Sequence, residues 1–173
     1  MASKSPAERL VTLQAYDILD TFPEPPFERL TRLAASIFDV PIALISLIDE
    51  NRQWFKSHLG LQVCETPLNV SFCRFAIEGD TVFHVGDATQ DARFKANALV
   101  TGEPGIRFYA GAPLHTPDGN KIGTLCVIDT VPRKSFRAKE QQILQDLAAL
   151  VVDELELRKL KDGNGVARLE PVS

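Results

Sequence analysis

The sequence predicts an α+β fold, an α/β sandwich in which helices pack on the faces of a largely antiparallel central sheet. Three observations point there. Two apolar runs, 106–114 and 122–128, flank Thr116-Pro117-Asp118-Gly119-Asn120, whose proline, aspartate and glycine suit a tight turn, so the pair reads as a β-hairpin. Both runs are apolar at nearly every position, as in strands covered on both faces. The stretch 136–161 repeats apolar residues at helical spacing along two adjacent rows, a face broad enough to cover more than one surface.

Ser5-Pro6-Ala7-Glu8 opens the first element, with serine as N-cap, proline at the first helical position and glutamate closing a capping box. Leu10, Val11, Leu13, Ile18 and Leu19 share one broad side of a helix expected over 6–20, ended by the prolines of 23–26. Phe27, Leu30, Leu33, Ala34, Ile37 and Phe38 recur at three- and four-residue spacing, which predicts an amphipathic helix over 25–39. Pro41-Ile42-Ala43-Leu44-Ile45-Ser46-Leu47-Ile48-Asp49 is short and apolar, the pattern of a central strand. Gln53-Trp54-Phe55-Lys56-Ser57-His58 mixes bulky and polar residues and is expected as its half-exposed hairpin partner. Residues 60–70 hold Pro67 and no sustained period, so a loop is expected.

Ser71 is placed to cap a short helix through Ile77 that buries Phe72, Phe75 and Ala76, and a short strand is expected over 81–85. The side chains of Asp87, Thr89 and Asp91 can bond nearby backbone N–H groups, favouring a turn and then one or two helical turns up to Val100. After the hairpin comes the longest helix, over 136–161. Ile143, Leu150 and Leu157 recur every seven residues, and Leu144, Ala148, Val151 and Leu155 run beside them. One row suits the sheet; the other is expected to meet the helices of a second copy, making a homodimer. Asp162-Gly163-Asn164-Gly165 stops the helix, leaving one domain over 1–162 and a disordered tail over 163–173.

A chain of 173 residues suits one domain, which at this length buries roughly 70% of its unfolded surface. The net charge of −4, with basic residues scattered among acids, argues against direct nucleic-acid binding. No apolar run approaches the roughly 20 residues of a membrane helix, and the N-terminus shows no secretory h-region, so a cytoplasmic location is expected. Cys64, Cys73 and Cys126 form neither a disulfide framework nor a CxxC pair, and His58, His84 and His115 lack ligand spacing from one another, so no metal site is expected. No Ser/His/Asp set, carboxylate pair or phosphate-cradling loop stands out, so no catalytic residue and no cofactor are assigned.

With these residues placed, the chain resembles the GAF domain family of small-molecule sensors, and within it the branch at the N-termini of bacterial histidine kinases and diguanylate cyclases. The matching words are Tyr16-Asp17-Ile18-Leu19-Asp20-Thr21 with Pro23-Glu24, the strand 41–49, Arg52-Gln53-Trp54-Phe55-Lys56-Ser57, Ser71-Phe72-Cys73, Asp87-Ala88 with Asp91 and Arg93-Phe94, Ile106-Arg107-Phe108-Tyr109-Ala110-Gly111-Ala112-Pro113-Leu114, and Ile122-Gly123-Thr124-Leu125-Cys126-Val127-Ile128-Asp129. They run in family order from about residue 9 to 158. The resemblance implies a bundle of N- and C-terminal helices on one face, a ligand cavity under short helices on the other, and an output partner that is a histidine kinase or a diguanylate cyclase. The chain departs from the branch at Phe75, where histidine is usual, and at Leu68, where a basic residue is frequent.

Within the hairpin, Arg107, Tyr109 and Gly111 share one parity and Ile106, Phe108, Ala110 and Ala112 the other, so a pocket is expected on the first side. The candidate ligand-binding residues are Trp54, Phe72, Cys73, Phe75, Phe94, Arg107 and Tyr109. Arg107 suits a carboxylate or phosphate, or an ion pair with Asp87 or Asp91; the aromatics suit stacking walls, or core. The leading reading is a non-catalytic ligand sensor. A second reading is a thiol-dependent free methionine sulfoxide reductase, as some GAF proteins are, with Cys73 activated at a helix start and Cys64 as its resolving partner. Covalent bilin attachment is a third reading, against which Arg74 stands where a histidine would follow the cysteine. The signature of the cyclic-nucleotide class is absent.

Overall fold

The computed structural model describes residues 4–163. Among these, six strands form one sheet: β1 (Ile42–Ile48), β2 (Arg52–Leu59), β3 (Glu65–Pro67), β4 (Phe83–Val85), β5 (Phe108–His115) and β6 (Lys121–Asp129). Their spatial order is β3-β2-β1-β6-β5-β4, and all neighbours run antiparallel, as the hairpin-rich sequence predicts. The helices are α1 (Pro6–Ala15), α2 (Pro25–Phe38), α3 (Cys73–Ala76), α4 (Ala98–Thr101) and α5 (Ala138–Gly163). Long α2 and α5 pack with α1 on one face, while α3, α4 and the 3₁₀ turns Leu68–Val70 and Ala88–Gln90 lie over the other.

Strand alternation divides the core into two layers. Ala43, Ile45 and Leu47 of β1, Phe108 and Ala110 of β5, and Leu125 and Val127 of β6 join the long helices. Leu44, Ile48, Tyr109, Cys126 and Ile128 face the short ones. In α5, Leu144, Ala148, Val151 and Leu155 are buried, whereas Leu150 and Leu157 are 48% and 44% exposed, so the two rows of this helix do part company.

Several local expectations are corrected. The first helix ends at Ala15, not at 20. Asp17 and Asp20 take left-handed backbone at φ 49° and 62°, and the carbonyls of Tyr16 and Asp17 accept from buried Arg158 Nη1 at 3.0 and 3.1 Å, so a group on α5 completes the helix end. β2 is not half-exposed. Its polar residues Gln53, Lys56 and Ser57 are buried, because α2 and the segment before it meet Lys56 and Ser57 on one side and Ser71, before α3, meets Gln53 on the other. Residues 60–70 are not all loop: Glu65–Pro67 pairs with β2 as an edge strand, where proline is tolerated. The short helix covers only Cys73–Ala76, and Ser71 serves it from one residue further out, with Oγ accepting from Arg74 N at 3.2 Å. The expected tail over 163–173 lies, but for Gly163, outside the described residues; Gly163 itself is helical.

Candidate functional site

A hollow of about 390 Å³ opens between the sheet and the short elements above it. Its floor is Leu44 of β1, Phe55 of β2, Tyr109 of β5 and Ile128 of β6. The segment 60–63 forms one wall, and Phe72, Leu99 and Pro104 form the other. These positions follow from alternation in strands that are covered on both sides, which leaves large apolar side chains facing each layer. No Lys, Arg or His is among the lining residues; Glu103 supplies an exposed carboxylate at the rim.

Of the seven candidate residues, Phe72, Cys73 and Tyr109 line this hollow. Phe94 stacks behind Phe72 at 4.0 Å between ring centroids with planes 9° apart, and Phe75 meets Phe94 edge-on at 5.1 Å. Both back the wall without reaching the cavity. Trp54 is on the wrong face: it pairs across β1 with Leu47 and packs with the long helices. Arg107 also stays out. β5 begins one residue after it, and its Nη1 donates to the carbonyls of Val100 and Ile106, each at 3.0 Å, fastening the end of α4. Neither Asp87 nor Asp91 takes it as an ion pair; Asp91 instead binds Arg93 at 2.7 Å.

Gln53, a polar residue of the lining, is held by hydrogen bonds to its neighbours. Gln53 Oε1 accepts from Ser46 Oγ at 3.0 Å and from Ser71 Oγ at 2.8 Å, and its Nε2 donates to Thr66 Oγ1 at 2.9 Å. This buried glutamine ties β1, β2, β3 and the approach to α3 together. In a strand that mixes bulky and polar residues, nothing in the sequence singled it out from Lys56 or Ser57.

The cysteines are arranged otherwise than expected. Cys64 is exposed on the segment leading into β3, while Cys73 is buried and its sulfur stands 3.9 Å from that of Cys126. Tyr109 Oη and Thr124 Oγ1 each donate to Cys73 Sγ at 3.1 Å. Burial alone pushes the Cys73 thiol up, but the neighbouring Cys126 and these donors outweigh it and bring the thiol below its ordinary value. Burial, and then the neighbouring sulfur, push Cys126 well above its own. Tyr109 is likewise raised by burial and then by the charge of the sulfurs, so it stays protonated and donates. Cys126 could not be placed by counting: from the turn at 116–120 a regular hairpin sets Leu125 opposite Gly111, and the register shift between Pro113 and His115 is what brings Cys126 there, on the face of Tyr109.

Among the described residues there is no cluster of three potential metal ligands, and no helix is long and apolar enough to cross a membrane.

A family model described as GAF domain matches residues 23–155. A cyclic di-GMP phosphodiesterase of Pseudomonas aeruginosa is 50% identical over 126 residues, which are 73% of this chain and 22% of that protein. The chain therefore spans less than a quarter of that relative's length. Among solved structures, free methionine-R-sulfoxide reductase from Neisseria meningitidis superposes with a TM-score of 0.63 at 17% identity, over 92% of this chain and 96% of that one. The GAF domain from Acinetobacter phosphoenolpyruvate-protein phosphotransferase does so with a TM-score of 0.62 at 16% identity, over 96% and 100%. At these identities the structural likenesses establish the fold.

Proposed function

The chain belongs to the GAF domain family, and from that membership we propose that it is a non-catalytic regulatory module whose hollow takes a small molecule and whose terminal helices pass the event to an output partner. The observation that carries this reading is the cavity itself, enclosed between sheet and short helices and floored by the central strands. Its lining holds no cation, which favours an uncharged, largely apolar guest over a nucleotide or a free amino acid. A guest that binds one arrangement of α3 and α4 better than another shifts the population by that difference in affinity.

The output partner in this reading is a histidine kinase or an enzyme of cyclic di-GMP turnover, acting in cis or in trans in the cytoplasm. The relative named as a cyclic di-GMP phosphodiesterase supports the second kind. Contact is made through a homodimer in which Leu150 and Leu157 of α5 meet their counterparts, with Leu33 and Ile37 of α2 also exposed and apolar.

Thermal-shift screening and native mass spectrometry test the binding step. An uncharged aromatic or aliphatic compound at a hundredfold excess over its Kd should stabilise the fold by about 2.7 kcal/mol. Leu99→Trp, which fills the rim of the hollow, should abolish that gain. Binding that Leu99→Trp leaves intact, or a panel with no binder at all, would overturn the reading.

A further inference from the structure

The pairing of Cys73 with Cys126 is a second chemical feature of the hollow, and it stands whether or not a regulatory guest binds there. Cys73 lines the cavity; Cys126 lies behind it on β6 and does not. One sulfur is therefore reachable from the hollow and the other is reachable only from the first. Two hydroxyls point at the reachable sulfur and none of the polar contacts to Cys73 is an acceptor oxygen of a carboxylate. Such donors stabilise a thiolate, the form in which cysteine is a nucleophile. From this geometry we propose that Cys73 and Cys126 form a disulfide, made when an apolar organic hydroperoxide enters the hollow.

In the first step the Cys73 thiolate attacks the terminal oxygen of the hydroperoxide. The O–O bond breaks, Cys73 becomes a sulfenic acid, and the alkoxide leaves and takes up the proton that Cys73 had released, giving an alcohol. In the second step Cys126 sulfur attacks Cys73 sulfur. The S–S bond forms, the S–O bond breaks, and the hydroxyl departs as water with the proton of Cys126. Two thiols and one hydroperoxide thus become one disulfide, one alcohol and one water. The sulfurs must close from 3.9 Å to about 2.05 Å. Cys73 starts a helix of only 4 residues on the loop-rich face, whereas Cys126 is fixed between two strands, so the closing movement falls to α3.

Apolar character in the oxidant follows from the lining. Leu44, Phe55, Phe72, Ile106 and Ile128 surround the approach to Cys73 and offer a hydrocarbon group burial that hydrogen peroxide cannot use.

The test treats the reduced protein, freed of reductant, with cumene hydroperoxide or hydrogen peroxide and follows intact mass and peptide maps. The expected product is a Cys73–Cys126 link with two hydrogens lost, formed about tenfold faster with cumene hydroperoxide, the advantage of burying roughly two methylenes. Cys126→Ser should leave a sulfenic acid on Cys73 that a cyclic 1,3-dione traps, and Cys126→Ala repeats the trial without a buried hydroxyl. Tyr109→Phe, which removes one donor and keeps the ring, should slow the reaction at neutral pH about tenfold. Cys64→Ser should change nothing. No link in the folded wild-type protein, a link through Cys64, no trapped Cys73 in either folded Cys126 variant, or an equal rate with hydrogen peroxide would each overturn the proposal.

Discussion

The ring of Tyr109 lies along β5 over the bare Cα of Gly111, where a Cβ would collide with the phenol oxygen and its carbon. Residues two apart on a strand share a face, so a glycine at 111 is what lets a ring at 109 lie flat enough to reach Cys73. Gly111→Ala should therefore cost about 1–3 kcal/mol in chemical denaturation, as overpacking does. Tyr109→Phe relieves nothing at Gly111 and should cost only about 1 kcal/mol. A Gly111→Ala protein as stable as wild type would show that the ring has another place to go.

Glu24 holds two buried cations together. Its Oε2 lies 2.5 Å from Lys56 Nζ and 2.9 Å from Arg158 Nε, and Lys56 has no exposed side-chain surface. Glu24→Gln should cost about 2–3 kcal/mol, less than for a fully buried pair because 34% of the Glu24 side chain meets water. Burial raises the Glu24 carboxyl, but hydrogen bonds from Lys56 and Arg158 outweigh it and hold the group below its ordinary value. The contribution is thus complete above about pH 4.3, the unfolded value, and is lost as pH falls through the lower folded one. Urea midpoints of wild type and variant should converge on acidification. A constant gap down to the acid transition would contradict this assignment.

How far these arrangements could be read beforehand depended on whether the cause was local. The turn at 116–120, the capping box at Ser5 and Glu8, and the parity that sends Tyr109 and Phe108 to different layers are set by neighbours in sequence. The early end of α1 is not, since Arg158, far along the chain, captures the carbonyls of Tyr16 and Asp17. Trp54 was hidden for another reason. β2 is buried on both faces and its pairing steps over Lys56, with Ile45 opposite Ser57 and Ser46 opposite Phe55, so its pattern carries no simple alternation. Arg107 has the parity expected of it, yet its length lets it turn back to Val100 and Ile106.

Asp39 closes α2 in the left-handed conformation at φ 51°, with its N–H bonded to Ala35 O. Aspartate tolerates this geometry but glycine meets no Cβ penalty there. Asp39→Gly should raise stability by about 0.5 kcal/mol, and the bond from Arg133 Nη2 survives because it is accepted by the Asp39 backbone carbonyl. A loss of stability by thermal denaturation would mean that the Asp39 side chain contributes beyond its backbone.

Leu150 is 48% exposed on the outer row of α5. In the proposed homodimer Leu150→Glu places like charges against each other at the seam, so sedimentation should change from dimer to monomer while circular dichroism is unchanged. Identical sedimentation for wild type and variant would remove the α5 row from the interface.

Consecutive residues of β6 point in opposite directions: Cys126 toward the thiol pair, Leu125 and Val127 into the packing under α5. The two compartments of this molecule are thus separated by a single layer of backbone. In the proposed disulfide chemistry, a change at Cys126 would meet the side chains under α5 across that one layer of backbone.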